Sequence, residues 1–171
     1  MTNETVMAAA SRRAHVLGAL VAIGSLVAAC GGTTGSAGVS SPSAAGPVRS
    51  TVNVTLQEFA VVPDVPSVPA GTVTFVVKNT GPDDVHELVV LKTDLAADAL
   101  PADKDGKETE DVAGVTLIGE IEDVEVGASK QADLELNPGK YVLICNILQT
   151  EPDGSLEAHY KVGMRTAFEV K

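Results

Sequence analysis

The chain has 171 residues, enough for one domain, and a formal charge of −11 at pH 7, with 23 Asp and Glu against 12 Lys and Arg. That excess of acid repels phosphate backbones and argues against nucleic acid as a partner. It fits solubility or a basic partner surface.

The first 29 residues read as a segment apart from the domain. Arg12 and Arg13 form a positive start, and the run AHVLGALVAIGSLVAA that follows is short for a membrane span and ends in small residues, as a secretory signal does. The order Val27-Ala28-Ala29-Cys30 resembles the lipobox of bacterial lipoproteins. The resemblance implies that Cys30 becomes the lipid-modified first residue of a mature protein, extracytoplasmic and lipid-anchored to the bacterial cell membrane. An uncleaved anchor, or an ordinary signal with a chance cysteine, is the alternative. Ser11-Arg12-Arg13 hints at twin-arginine export, although His15 stands where a large apolar residue is usual.

Processing at Cys30 makes the remainder one unit more negative and removes His15, Met1 and Met7. Two histidines, His86 and His159, then remain with one methionine, Met164, and one unmodified thiol, Cys145. An unpaired thiol in an oxidising compartment invites oxidation unless something protects it, and a bound metal would.

Residues 30–50 are dominated by Gly, Ser, Ala and Thr, the composition of a flexible tether with a reach on the order of 25 Å. From residue 51 to 171 the pattern becomes short alternating runs bounded by turn residues. TVNVTLQ alternates through Val52, Val54 and Leu56; Pro63, Pro66 and Pro69 then demote the next stretch to an edge or an irregular crossing. TVTFVVKN places Val73, Phe75 and Val77 on one face. HELVVLK divides His86, Leu88 and Val90 from Glu87, Val89 and Leu91.

TDLAADALP has the caps for one or two helical turns, and ADKDGKETED reads as a solvated loop rather than a calcium loop. VTLIGEI, SKQADLEL, then YVLICN after the NPGK turn, and RTAFEV complete the strands. The whole predicts an all-β Greek-key sandwich of seven or eight strands with a short helical insertion.

His86 opens one predicted strand, Cys145 closes another, and His159 and Met164 lie in the connection to the last. Strand ends of a sandwich can gather at one end of the fold. Two imidazoles, a thiolate and a distant thioether match the trigonal site with a weak axial methionine that copper electron carriers use. Individually, each residue is also compatible with a core role: a half-buried histidine, an inert core thiol, a methionine filler.

The residues that carry a family resemblance are Asn79-Thr80-Gly81 ahead of His86-Glu87, Gly139-Lys140-Tyr141 leading to Cys145-Asn146, and His159-Tyr160 before Gly163-Met164. On them the chain resembles the cupredoxins, the blue (type 1) copper proteins, and looks closest to single-domain bacterial cupredoxin lipoproteins. The resemblance implies one type 1 copper held by His86, Cys145 and His159, with Met164 axial. It also implies an N–H of Glu87 donating to the cysteine sulfur, Asn79 tying the ligand loops together, and Asn146 beside the site. Thirteen residues, NILQTEPDGSLEA, separate Cys145 from His159, more than many cupredoxins have, and this puts the surface around the second histidine in doubt.

The expected function is single-electron transport between extracytoplasmic partners: a cytochrome, a terminal oxidase or a copper reductase. A copper-binding and delivery lipoprotein handing metal to a recipient protein is the alternative, and a metal-free adhesion sandwich comes third. A monomer is expected. No G-x-S-x-G, no phosphate loop and no H-E-x-x-H occurs, and no spare histidines remain for further copper ions, so an enzyme is not expected.

Overall fold

The computed structural model describes residues 48–108 and 112–171. The expected signal segment, Cys30 and most of the expected tether lie outside the described residues. The rest is an all-β sandwich of two sheets, as the alternating runs predict.

Eleven strands occur among the described residues. The seven of six residues or more are β1 (Arg49–Gln57), β4 (Gly71–Asn79), β5 (His86–Thr93), β6 (Val115–Val124), β7 (Ser129–Leu136), β8 (Gly139–Ile144) and β11 (Arg165–Val170). The proline-rich crossing supplies two short strands, β2 (Ala60–Pro63) and β3 (Ser67–Val68). Each lies at a sheet edge, where a missing N–H breaks no internal ladder. One sheet has the order β2-β1-β4-β7 and the other β3-β11-β8-β5-β6.

The faces follow from the period of two. Val52, Val54 and Leu56 of β1 and Val73, Phe75 and Val77 of β4 meet Leu88, Val90, Tyr141 and Leu143 of the opposite sheet in the main core. The intervening Val89, Leu91, Val142 and Ile144 form a second apolar cluster on the outer face of the five-stranded sheet, with Leu100, Val115 and Tyr160. Strands β5 and β8 are therefore covered on both faces, which explains their unbroken apolar runs LVVL and YVLI.

The 93–101 segment that covers this face forms turns rather than the helix its caps suggest. Its backbone is spent on other partners: the Leu95 N–H donates to Thr93 Oγ1 (3.1 Å) and the Leu100 N–H to Tyr160 Oη (3.0 Å). The short helix of this fold is α1 (His159–Val162), directly after the Cys145–His159 connection. The 102–108 stretch is less solvated than its charges suggest. Gly106 and Glu108 are buried, and the Glu108 N–H donates to Asn146 Oδ1 at 2.7 Å. Among the described residues no helix is long and apolar enough to cross a membrane.

Candidate metal centre

Three predicted donors meet at one end of the sandwich. His86 begins β5, and Cys145 follows β8, the strand next to it, whose Ile144 pairs with Val89. The thirteen residues after Cys145 are a hairpin, not an open loop: β9 (Leu148–Thr150) pairs antiparallel with β10 (Leu156–Ala158). The hairpin returns the chain to where it left, so the His159 N–H donates to Ile147 O at 3.0 Å. The long spacing therefore closes on itself and brings His159 back beside Cys145.

The donor atoms converge. His86 Nδ1 and His159 Nδ1 are 3.2 Å apart, and Cys145 Sγ lies 3.9 Å and 3.4 Å from them respectively. With metal–nitrogen bonds of about 2.0 Å and a metal–sulfur bond of about 2.3 Å, donors around one ion stand roughly 3.3–3.7 Å apart. The observed triangle fits one ion. All three residues are fully buried.

Met164 is also fully buried, and its backbone is bonded to two of the donors: its N–H donates to His159 O (3.0 Å) and its carbonyl accepts the Cys145 N–H (3.0 Å). Gly163 makes the tight exit from α1 possible. Its φ of +137° disfavours other residues, and a Cβ there would stand 3.0 Å from Phe59 O.

The neighbours named from the sequence occupy distinct places. The Glu87 N–H donates to Cys145 Sγ at 3.5 Å, and the Glu87 carboxylate accepts the Asn146 N–H at 3.1 Å. Asn146 pins the Cys145 side to the 102–108 stretch, accepting from the Glu108 N–H and donating Nδ2–H to Glu108 O at 3.2 Å. Asn79 braces the His86 side: its Nδ2 donates to Asp84 O (2.7 Å) and Val124 O (2.9 Å), and its Oδ1 accepts the Gly81 N–H (2.9 Å).

Burial sets the electrostatics. It pushes the Cys145 thiol up to about 12, with the N–H groups of Glu87 and Ile147 pulling it partly back. Burial likewise holds both imidazoles below their ordinary value, so they are neutral at pH 7. Burial also raises Glu87.

Four further residues stand beside the donors. Phe59 sets its ring edge-on to His159, with centroids 5.4 Å apart. Asp84 and Glu157 place carboxylates near His159, all three ligand atoms lying within 4.8 Å of one another. Glu58 stands beside His86. Asp84 and Glu157 lie two residues before His86 and His159 in the chain, whereas Glu58 and Phe59 are remote in the chain and meet the donors only through the fold.

No family model matches this chain, and no curated protein matches it. Among solved structures it is similar to dithionite-reduced auracyanin of the photosynthetic bacterium Roseiflexus castenholzii, with 21% identity, 72% of this chain and 96% of that chain covered, and a TM-score of 0.45. It is also similar to auracyanin A, a "blue" copper protein of Chloroflexus aurantiacus, with 21% identity, coverages of 74% and 100%, and a TM-score of 0.45. Rusticyanin of Thiobacillus ferrooxidans follows, with 17% identity, coverages of 71% and 77%, and a TM-score of 0.45. At these identities and scores the functional reading rests on the site itself.

Proposed function

We propose that this protein is a type 1 copper protein that carries single electrons outside the cytoplasmic membrane, tethered there through Cys30 and the 30–50 segment. The observation that supports it most is the buried triangle of two imidazole nitrogens and one thiol sulfur at 3.2, 3.4 and 3.9 Å. His86, Cys145 and His159 are the proposed strong ligands and Met164 the weak axial one. A thiolate suits copper(I) and imidazoles satisfy copper(II), so this donor set serves both oxidation states. Bound copper would supply the one-electron change.

The protein's own part is to hold the donors still and dry. Strands β5 and β8 fix His86 and Cys145 by their register. Backbone bonds through Ile147, His159 and Met164 tie in the other side. The Glu87 N–H aimed at the sulfur stabilises thiolate charge, which favours the reduced site as well as the deprotonated ligand. Complete burial of the three donors excludes water and supports a retained metal over one readily handed to a recipient. The electron partner is proposed to be a cytochrome, terminal oxidase or copper reductase with a basic face toward Asp84 and Glu157. No catalytic role is proposed.

A visible absorption spectrum after addition of copper(II), beside the Cys145→Ser variant, tests the reading. The expected result is an intense blue band in the protein and none in the variant. A colourless copper complex, its stoichiometry confirmed by mass spectrometry, would remove the electron-carrier reading.

A further inference from the structure

Each imidazole gives Nδ1 to the donor triangle, which leaves Nε2 for a second partner. For His86 that partner stands just past the end of β1. Glu58 Oε1 lies 3.5 Å from His86 Nε2, with the imidazole fully withdrawn from solvent and the carboxylate only 12% exposed. The same oxygen accepts the N–H groups of Asp84 (2.8 Å) and Asp83 (3.3 Å), in the loop that delivers His86. One carboxylate thus grips the loop and faces the outer nitrogen of the residue the loop presents.

Two buried atoms here have no hydrogen-bond partner: Glu58 Oε2 and His86 Nε2. Leaving both unpaired away from water is unfavourable. From 3.5 Å, a small turn of the carboxylate brings an oxygen into bonding range of Nε2. Space for the carboxylate depends on Gly81, where a Cβ would stand 2.1 Å from Oε2 and force it away.

Building on the copper reading above, we propose that Glu58 is a positioning residue for the metal. Its carboxylate accepts the Nε2–H of His86, fixes that tautomer and keeps the Nδ1 lone pair for copper. A ligand histidine commonly donates its other N–H to such a group, which orients the ring and raises its basicity. A buried anion behind the ligand also favours the more positive oxidation state, so Glu58 holds the reduction potential down. A plain brace of the 80–85 loop would hold the backbone and do neither.

The test compares the protein with Glu58→Gln, which keeps the shape and an oxygen for the Asp84 N–H but removes the charge. In the copper-loaded forms the blue band is expected in both. The copper(I)-to-copper(II) affinity ratio is expected to rise about tenfold in the variant, an upward shift of about 59 mV for one electron. Gly81→Ala, which displaces the carboxylate without touching a ligand, moves the potential the same way and serves if Glu58→Gln does not fold. Nitrogen-15 NMR of the metal-free protein at neutral pH is expected to show His86 as the Nε2–H tautomer, and mixed tautomers in Glu58→Gln. An unchanged potential in a variant that keeps its band, or an Nδ1–H tautomer in the parent protein, overturns the proposal. Absence of the band from the parent protein overturns the carrier reading instead, and the NMR tautomer then decides the role of Glu58 alone.

Discussion

His86 and Cys145 are strand-borne, whereas His159 and Met164 hang from a hairpin and a single helical turn. The strand-borne pair inherits its geometry from neighbouring strands buried on both faces, with Val89 opposite Ile144 and Leu91 opposite Val142. The other pair depends on three backbone hydrogen bonds, from His159 to Ile147, from Met164 to His159, and from Cys145 to Met164. The hairpin contributes three residue pairs and leaves Leu156 half exposed. One half of the site is therefore inseparable from the core, and the other can vary in length and sequence as long as its ends meet. A spacing of thirteen residues is tolerable for that reason.

The contrast can be broken from the strand side first. Leu143→Ala removes a fully buried side chain from the inter-sheet core on the strand that leads to Cys145. It is expected to cost about 2–5 kcal/mol in denaturant unfolding, with the copper site lost as the fold is lost. A cost under about 1 kcal/mol would mean that β8 is not the rigid half.

The pH dependence of copper binding tests the shared burial. Cys145 is a thiol at neutral pH because burial lifts it to about 12, so binding must displace its proton. Both histidines lie below their ordinary value and give up none at pH 7. Affinity should therefore rise about tenfold per pH unit through the neutral range, equivalent to about 1.4 kcal/mol per unit. One proton should be released per copper, read by calorimetry in buffers of different ionisation enthalpy. As pH falls into the imidazole range the dependence should steepen; a flat profile at pH 7–8 would contradict a protonated buried thiol.

Met164→Leu acts on the hairpin side alone. It keeps the buried volume and removes the proposed weak sulfur donor, so the blue band should persist while the reduction potential rises. A variant that binds no copper would show that Met164 is not a weak axial ligand. The smallest effect belongs at the hairpin tip, where Asp153 accepts from the Ser155 N–H (2.9 Å) and hydroxyl (2.7 Å) at the surface. Asp153→Ala should leave band and potential unchanged, and a shifted potential would mean that the tip is coupled to the metal.

Much of the strand pattern was legible because the inward residues repeat every second position. Tyr141, Leu143 and Cys145 share a face in the structure as in the sequence, and Leu88 and Val90 oppose Val89 and Leu91. The 93–101 segment reads as helical because its capping residues are locally sufficient for a helix. Cover of the outer face instead draws its backbone to Tyr160, a partner some sixty residues away. The charged 102–108 stretch reads as solvent-exposed for a similar reason, since nothing local announces the bonds between Glu108 and Asn146. The β9–β10 hairpin is hidden in the sequence because LQT and LEA are each too short to show a period.

The sequence by itself determined which atoms are available: two imidazoles, one thiol and one thioether in residues 51–171, each placed at a strand end or connection. Composition and alternation suffice for that, since they are local properties of the chain. Only the tertiary structure decided that the thirteen-residue connection folds back on itself, that the nitrogen donors are both Nδ1, and that Glu58 and Asp84 stand beside the imidazoles. Those facts depend on which strand lies beside which, and pairing across 73 residues between His86 and His159 leaves no periodic trace in either segment.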